Sequence, residues 1–251
     1  MDFILTFCIC KTPVFGLQTQ REGVAEYCEK SGLTTRCHVG FLSCHQKKNQ
    51  IATKEMTFIY LHGFNSDQNP TSDKLKELGK IGEVITLGYN SFATYEVILE
   101  NLKEKVKKES RERPPGEVAL VGTSLGGYWA GTLSGIFGLP AILLNPAIRP
   151  ARTLKRHVGI TLKNFVSGEV NALSEDVPKS YPELSKRGIL KIMVDEGDKV
   201  LDPYDTKEFF ADYGPILFKG GSHRFEHMPE ALHFIETFLN RTVVIGDGSN
   251  D

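Results

Sequence analysis

The stretch Val118-Ala119-Leu120-Val121-Gly122-Thr123-Ser124-Leu125-Gly126-Gly127 decides how the rest of the chain is read. A short apolar run leads straight into Gly-x-Ser-x-Gly, and Tyr128, Trp129 and Ala130 continue in a helix-compatible way. A serine on a tight strand-to-helix turn projects its hydroxyl above the edge of a sheet. Gly122 and Gly126 carry no side chains, so neighbouring backbone can pass close to such a corner. The start of the following helix favours developing negative charge. Taken alone, the pattern arises by chance, and a structural serine in a glycine-rich turn is the plain alternative. With a strand before it and a helix after it, Ser124 becomes a candidate nucleophile.

On either side, further short apolar runs stand at Thr57–Leu61, Val84–Leu87, Ala141–Leu144, Ile189–Val194 and Ile216–Phe218. They are apolar throughout instead of alternating, as parallel strands covered on both faces should be. Helical patterns lie between them. Val97, Ile98, Leu102 and Val106 recur at helical spacing, with Lys103, Glu104, Lys107 and Lys108 on the other face. The charged run Lys103–Arg113 thus reads as a solvated helix face, stopped by Pro114-Pro115-Gly116. Pro229 can open a last helix whose Leu232, Ile235, Phe238 and Leu239 face inward. Such alternation predicts a mostly parallel sheet with helices on both faces. Six strands in the order 2-1-3-4-5-6 would put Ser124 where the order reverses, the place where such sheets bind ligands.

Segment Ile148–Arg187 breaks this rhythm with mixed polarity and several candidate short helices. It is expected to form a cap-like insertion over the site, with a plain connector as the alternative. Its Ile160, Leu162 and Phe165 are expected to pack the cap instead of lining a pocket.

A serine hydroxyl is a poor nucleophile without a base. His223, in Gly220-Gly221-Ser222-His223-Arg224-Phe225 just past the last strand, is the expected base, and His227 its rival. In the α/β-hydrolase fold that these strands suggest, the acid lies between serine and histidine in the chain. Val194-Asp195-Glu196-Gly197-Asp198-Lys199-Val200-Leu201-Asp202-Pro203 offers four carboxylates there. Asp198, one short loop beyond the strand, is expected to be the acid. Asp202, Asp195 and Glu196 stay open as alternatives, and Asp202-Pro203 also reads as a helix start. Tyr60-Leu61-His62-Gly63-Phe64-Asn65 ends the first core strand on the same side. Backbone N–H groups of Phe64 and Leu125 are the expected oxyanion donors. His62 is expected to brace this loop, and Asn65 and Ser66 to orient it or to touch substrate.

Composition narrows the field. With 251 residues, 40% of them hydrophobic and 24% charged, the chain can bury a sizeable core. A net charge of −1 gives no reason to expect nucleic acid or an anionic membrane as partner. No apolar stretch reaches the roughly 18–20 residues of a membrane span. Asp2 precedes the apolar opening where a signal peptide would carry positive charge, so a cytoplasmic location is expected. All five cysteines lie within the first 44 residues, and Cys37-His38 and Cys44-His45 match no paired zinc-ligand spacing. Incidental thiols are expected there, and no metal.

One set of motifs goes beyond the general fold. His-Gly-Phe-Asn-Ser at 62–66, Gly-Thr-Ser-Leu-Gly-Gly-Tyr at 122–128 and Leu-Pro-Ala-Ile-Leu-Leu-Asn-Pro-Ala-Ile-Arg-Pro at 139–150 are followed by two more. These are Gly-Asp-Lys-Val-Leu-Asp at 197–202 and Gly-Gly-Ser-His-Arg-Phe at 220–225. In that order, over about residues 56–240, they resemble the YqiA/YcfP-type family of small bacterial esterases. The resemblance implies a compact α/β hydrolase that cleaves acyl esters or thioesters without a cofactor. It implies Ser124 as nucleophile, Asp198 as acid and His223 as base; Asn145 and Arg149 are expected to serve structure. Amide hydrolysis, perhydrolysis, or a non-catalytic binding protein on the same fold are the alternatives. Members of this type start close to the first core strand, so residues 1–55 look like an addition. Either Met56 is the true start, or Phe3–Cys8 and Arg36–Leu42 form extra antiparallel strands. Residues 56–245 then form the hydrolase domain, and 246–251 a loose tail.

Overall fold

The computed structural model describes residues 56–66 and 72–246. The expectations for residues 1–55, cysteines included, and for the tail after Gly246 lie outside the described residues. In chain order the first elements are β1 (Met56–Leu61), α1 (Asp73–Leu78), β2 (Gly82–Leu87), α2 (Tyr95–Arg111), β3 (Val118–Thr123), α3 (Leu125–Phe137) and β4 (Pro140–Leu144). An insertion follows with α4 (Pro150–Leu154), β5 (Thr161–Lys163), β6 (Val170–Ala172) and α5 (Asp176–Ser180). The chain then returns to the sheet with β7 (Ile189–Asp195), α6 (Pro203–Phe209), β8 (Ile216–Phe218) and α7 (Met228–Gly246).

The main sheet runs β2-β1-β3-β4-β7-β8 with every pair parallel. With the β5–β6 hairpin left out, this is the expected order 2-1-3-4-5-6. Strands β1 and β3 are buried at every position, which is why their sequences show no alternation. One face of the sheet, through Phe58, Tyr60, Val121 and Ile142, packs on Leu75 and Leu78 of α1 and on Ala231, Ile235 and Leu239 of α7. The other face meets α2, α3 and the insertion through Ile59, Leu61, Leu120 and Leu143. Fully burying one such aliphatic side chain stabilises by about 1.5–3 kcal/mol. Leu61 pairs with Gly122, and Gly122 with Leu143, so the carboxyl ends of the central strands finish level.

Three expectations need correction. Val97 is 61% exposed, because the buried stripe of α2 runs Ile98–Leu102–Val106 and its neighbour stands about 100° away around the helix. The insertion is also not built from short helices alone. Thr161↔Ala172 and Lys163↔Val170 pair in an antiparallel hairpin, closed by Asn164 accepting from the N–H groups of Val166 and Ser167. Its three-residue strands are mostly exposed, so no hydrophobic period marks them. Ile160 and Phe165 stand 47% and 59% exposed, neither packing the insertion nor lining the main cavity. The later half of the insertion does pack: Leu173, Val177, Tyr181 and Leu184 are buried. Tyr181 sits among the rings of Tyr95, Tyr128 and Trp129.

Candidate active site

Ser124 occupies the single residue between β3 and α3, with φ 57° and ψ −120°. Two close approaches force this corner. A Cβ on Gly122 would lie 2.0 Å from the Gly126 carbonyl oxygen, and one on Gly126 would lie 2.0 Å from that of Leu61. Only glycine fits at either place. The serine backbone is tied to the next strand, its N–H donating to Leu144 O at 3.0 Å and its carbonyl accepting from Ala147 N at 3.0 Å. The hydroxyl is thereby presented at the carboxyl edge of the sheet, beside the free N–H groups that open α3.

His223 comes from the loop between β8 and α7, and Asp198 from the loop after β7. The chain brings them together as expected: His223 Nε2 lies 3.0 Å from Ser124 Oγ, and His223 Nδ1 lies 2.8 Å from Asp198 Oδ2. The other carboxylate oxygen of Asp198 accepts from Val200 N at 2.7 Å and Leu201 N at 3.0 Å. Burial pushes the Asp198 carboxyl up. The His223 N–H, the two backbone N–H groups and the charge of His223 outweigh this and hold it below its ordinary value. An ionised acceptor at Nδ1 keeps the proton on that nitrogen, leaving Nε2 to accept from the serine.

The other carboxylates of the same loop go elsewhere. Asp202 caps α6, accepting from Tyr204 N and Asp205 N, and Glu196 accepts from Tyr204 Oη at 3.3 Å. Asp195 is fully buried and binds His227 Nδ1 at 2.9 Å, together with Ser222 N at 3.1 Å and Glu226 N at 2.8 Å. The His227 ring stacks on Phe218. Asn145 bridges the same two loops, donating from Nδ2 to Ser222 O at 2.9 Å and accepting from Asp195 N at 2.8 Å. Arg149 pairs with Asp205 and Glu183, both at 2.6 Å.

Loop 62–64 lies against the serine: a Cβ on Gly63 would stand 3.4 Å from Ser124 Cβ. His62 donates from Nδ1 to Gly63 O at 2.8 Å, accepts at Nε2 from Tyr89 N at 3.3 Å and stacks on the Tyr89 ring. Both ring nitrogens are thereby engaged in bracing the loop. Asn65 donates from its backbone to Ser91 Oγ at 2.9 Å and accepts from Phe165 N at 3.3 Å, so it orients this loop too. Among the described residues, neither Phe64 N–H nor Leu125 N–H has a protein acceptor. A cavity of about 1110 Å³ opens over Ser124 and His223, bounded by Phe64, Leu125, Leu154, Leu201 and Phe225.

Two features of this site escaped the sequence. The pairing of Asp195 with His227 carried no signal beyond the presence of both residues. Lys74 lines the cavity and donates to Thr123 Oγ1 at 2.8 Å; nothing in its surroundings in the chain marked it. Among the described residues, no group of His, Cys, Asp or Glu could hold a metal ion, and no helix is long and apolar enough to cross a membrane.

Sheet order, nucleophile turn and helices on both faces define the α/β-hydrolase fold. Solved structures share it. Est1E from Butyrivibrio proteoclasticus superposes with a TM-score of 0.56 at 17% identity, covering 76% of this chain and 90% of that one. A monoacylglycerol lipase from Paleococcus ferrophilus gives 0.51 at 14% identity, covering 73% and 94%. Within that fold, the model of the uncharacterised protein family UPF0227 matches residues 57–240, and the chain belongs to this family. The YqiA/YcfP-type resemblance read from the motifs falls in the same family. A UPF0227 protein of Shewanella sp. (strain MR-7) is 24% identical over 192 residues, covering 72% of this chain and 97% of that protein.

Proposed function

We propose that this hydrolase-fold protein is a serine esterase or thioesterase, cleaving acyl esters through an acyl-enzyme. The observation that carries the proposal is the unbroken hydrogen-bonded series Ser124–His223–Asp198 at 3.0 and 2.8 Å. Ser124 Oγ attacks the carbonyl carbon while its proton passes to His223 Nε2, and Asp198 holds the resulting imidazolium. The Phe64 and Leu125 N–H groups receive the oxyanion, each such donor being worth about 10²- to 10³-fold in rate. The alcohol or thiol leaves with the proton from His223. Water then enters, gives a proton back to His223 and releases the carboxylic acid from Ser124. Every group these steps need is supplied by the chain, so the proposal includes no cofactor and no metal. The partner is a small acyl ester or thioester, and the location proposed is cytoplasmic.

The test is hydrolysis of p-nitrophenyl acyl esters from acetate to palmitate by the purified chain and by Ser124→Ala, with fluorophosphonate labelling of both. Turnover should drop by about 10⁴- to 10⁶-fold in the variant, and only the parent should label. Equal rates in both, or no turnover and no labelling in either, would sink the proposal.

A further inference from the structure

Lys74 shares the cavity with Ser124 and His223, and its ammonium is fixed in place by neutral groups. It donates to Thr123 Oγ1 at 2.8 Å, one residue before the serine, and stands 5.8 Å from the centre of the Tyr60 ring. Tyr60 Oη donates to that same Thr123 oxygen at 3.1 Å. Among the described residues Lys74 forms no ion pair.

The described carboxylates around it are engaged elsewhere. Asp195, whose charge acts on Lys74 through space, already takes N–H groups from His227, Ser222 and Glu226. Asp73 and Glu77 on its own helix pair with Lys76 and Lys80. Glu226 accepts from Ser222 Oγ at 2.5 Å. Arg156 and Arg224 border the same cavity, and neither forms an ion pair among the described residues. A half-buried ammonium that no described carboxylate contacts directly is costly to keep. Burial brings Lys74 down to about 8, which still leaves it mostly charged at neutral pH. A cation held rigidly beside a candidate nucleophile, with no carboxylate paired to it among the described residues, is arranged to receive an anion.

We infer that Lys74 selects the substrate: an ester or thioester bearing a carboxylate or phosphate away from the bond that is cleaved. The inference rests on the proposed hydrolase reading. Arg156 and Arg224 would draw such an anion toward the cavity, and Lys74 would fix its position. A purely structural Lys74, tying α1 to the end of β3, would show no difference between charged and neutral substrates.

The experiment compares kcat/KM for mono-4-nitrophenyl glutarate and for 4-nitrophenyl butyrate in the full chain, with Lys74→Met and Lys74→Arg. Glutarate and inorganic phosphate are tested as competitive inhibitors to separate carboxylate from phosphate. The glutarate-to-butyrate ratio should fall about ten- to a hundredfold in Lys74→Met, chiefly through KM, and largely recover in Lys74→Arg. In the parent the ratio should also decline as pH rises through about 8, and stay level in Lys74→Arg. The other groups facing Lys74 leave that ratio alone. Asp195, Asp73, Glu77, Glu226 and Arg224 face this position alike in the parent and in Lys74→Arg, so the two proteins differ at this one position, and His223 serves both esters alike.

Calorimetric binding of glutarate and of phosphate to Ser124→Ala needs no turnover. Binding of either anion there, lost in Ser124→Ala/Lys74→Met, supports the inference even if every ester tried is left intact. Absence of binding of both anions, with a substrate ratio that Lys74→Met leaves unmoved, overturns it. Failure of fluorophosphonate labelling overturns only the hydrolase reading.

Discussion

Two histidines four residues apart on one loop each bind a carboxylate from the end of β7 or the loop after it, at 2.8 Å for His223 with Asp198 and 2.9 Å for His227 with Asp195. Their geometry is nearly the same, and their surroundings differ. His223 has its second nitrogen on Ser124 Oγ and faces the cavity. The His227 ring lies flat against Phe218, with its carboxylate at 0% exposure and taking two further backbone N–H groups from the same loop. Under the proposed function the first pair would move a proton; the second fastens the loop that carries the first to the end of β7. A histidine bound to an aspartate is therefore no sign of catalysis by itself. What separates the two is the third partner, a hydroxyl on one side and an aromatic face on the other.

The comparison breaks most sharply at Asp198. Asp198→Asn should lower kcat by about 10⁴-fold on a p-nitrophenyl ester, with an unchanged circular dichroism spectrum. At the second pair the loss should appear in stability. Asp195→Asn should cost about 3 kcal/mol, or roughly 6–12 °C in Tm, with a smaller fall in kcat that comes only from the loosened His223 loop. His227→Gln, which leaves the buried carboxylate its two backbone donors, should cost about 1 kcal/mol by denaturant melt and leave kcat within a few-fold. The mildest effect is in acid. The folded Asp198 carboxyl is held below its ordinary value of 3.8, so its stabilising share is complete above that pH and disappears as pH falls through the lower, folded value. Below pH 3.8, Tm should accordingly fall less steeply in Asp198→Asn than in the parent.

The sheet and the nucleophile turn were legible because their residues have few substitutes. Gly122 and Gly126 are demanded by backbone passing 2.0 Å from where a Cβ would stand, and β1 and β3 are apolar because both faces are covered. Ser124, Asp198 and His223 could be singled out from chain order and from their distance past a strand end. The hairpin of the insertion was not legible, since strands of three mostly exposed residues carry no period. In the sequence Asp195 reads only as an alternative acid, and His227 only as an alternative base. Their union depends on how β7 and the loop before α7 lie side by side, which no local pattern encodes. Lys74 is a lysine in a charged helix until β3 and Tyr60 are placed beside it.

The φ of 57° at Ser124 has a consequence for how such a protein could decay. A side chain held in that region costs on the order of 1–3 kcal/mol, and glycine escapes most of the penalty. The position that would do the chemistry is thus also one where the fold would be firmer with something inert. For a lineage that no longer used the hydroxyl, loss of activity and gain of stability would lie along the same single codon change. Serine at this corner persists only while its usefulness outweighs that pull.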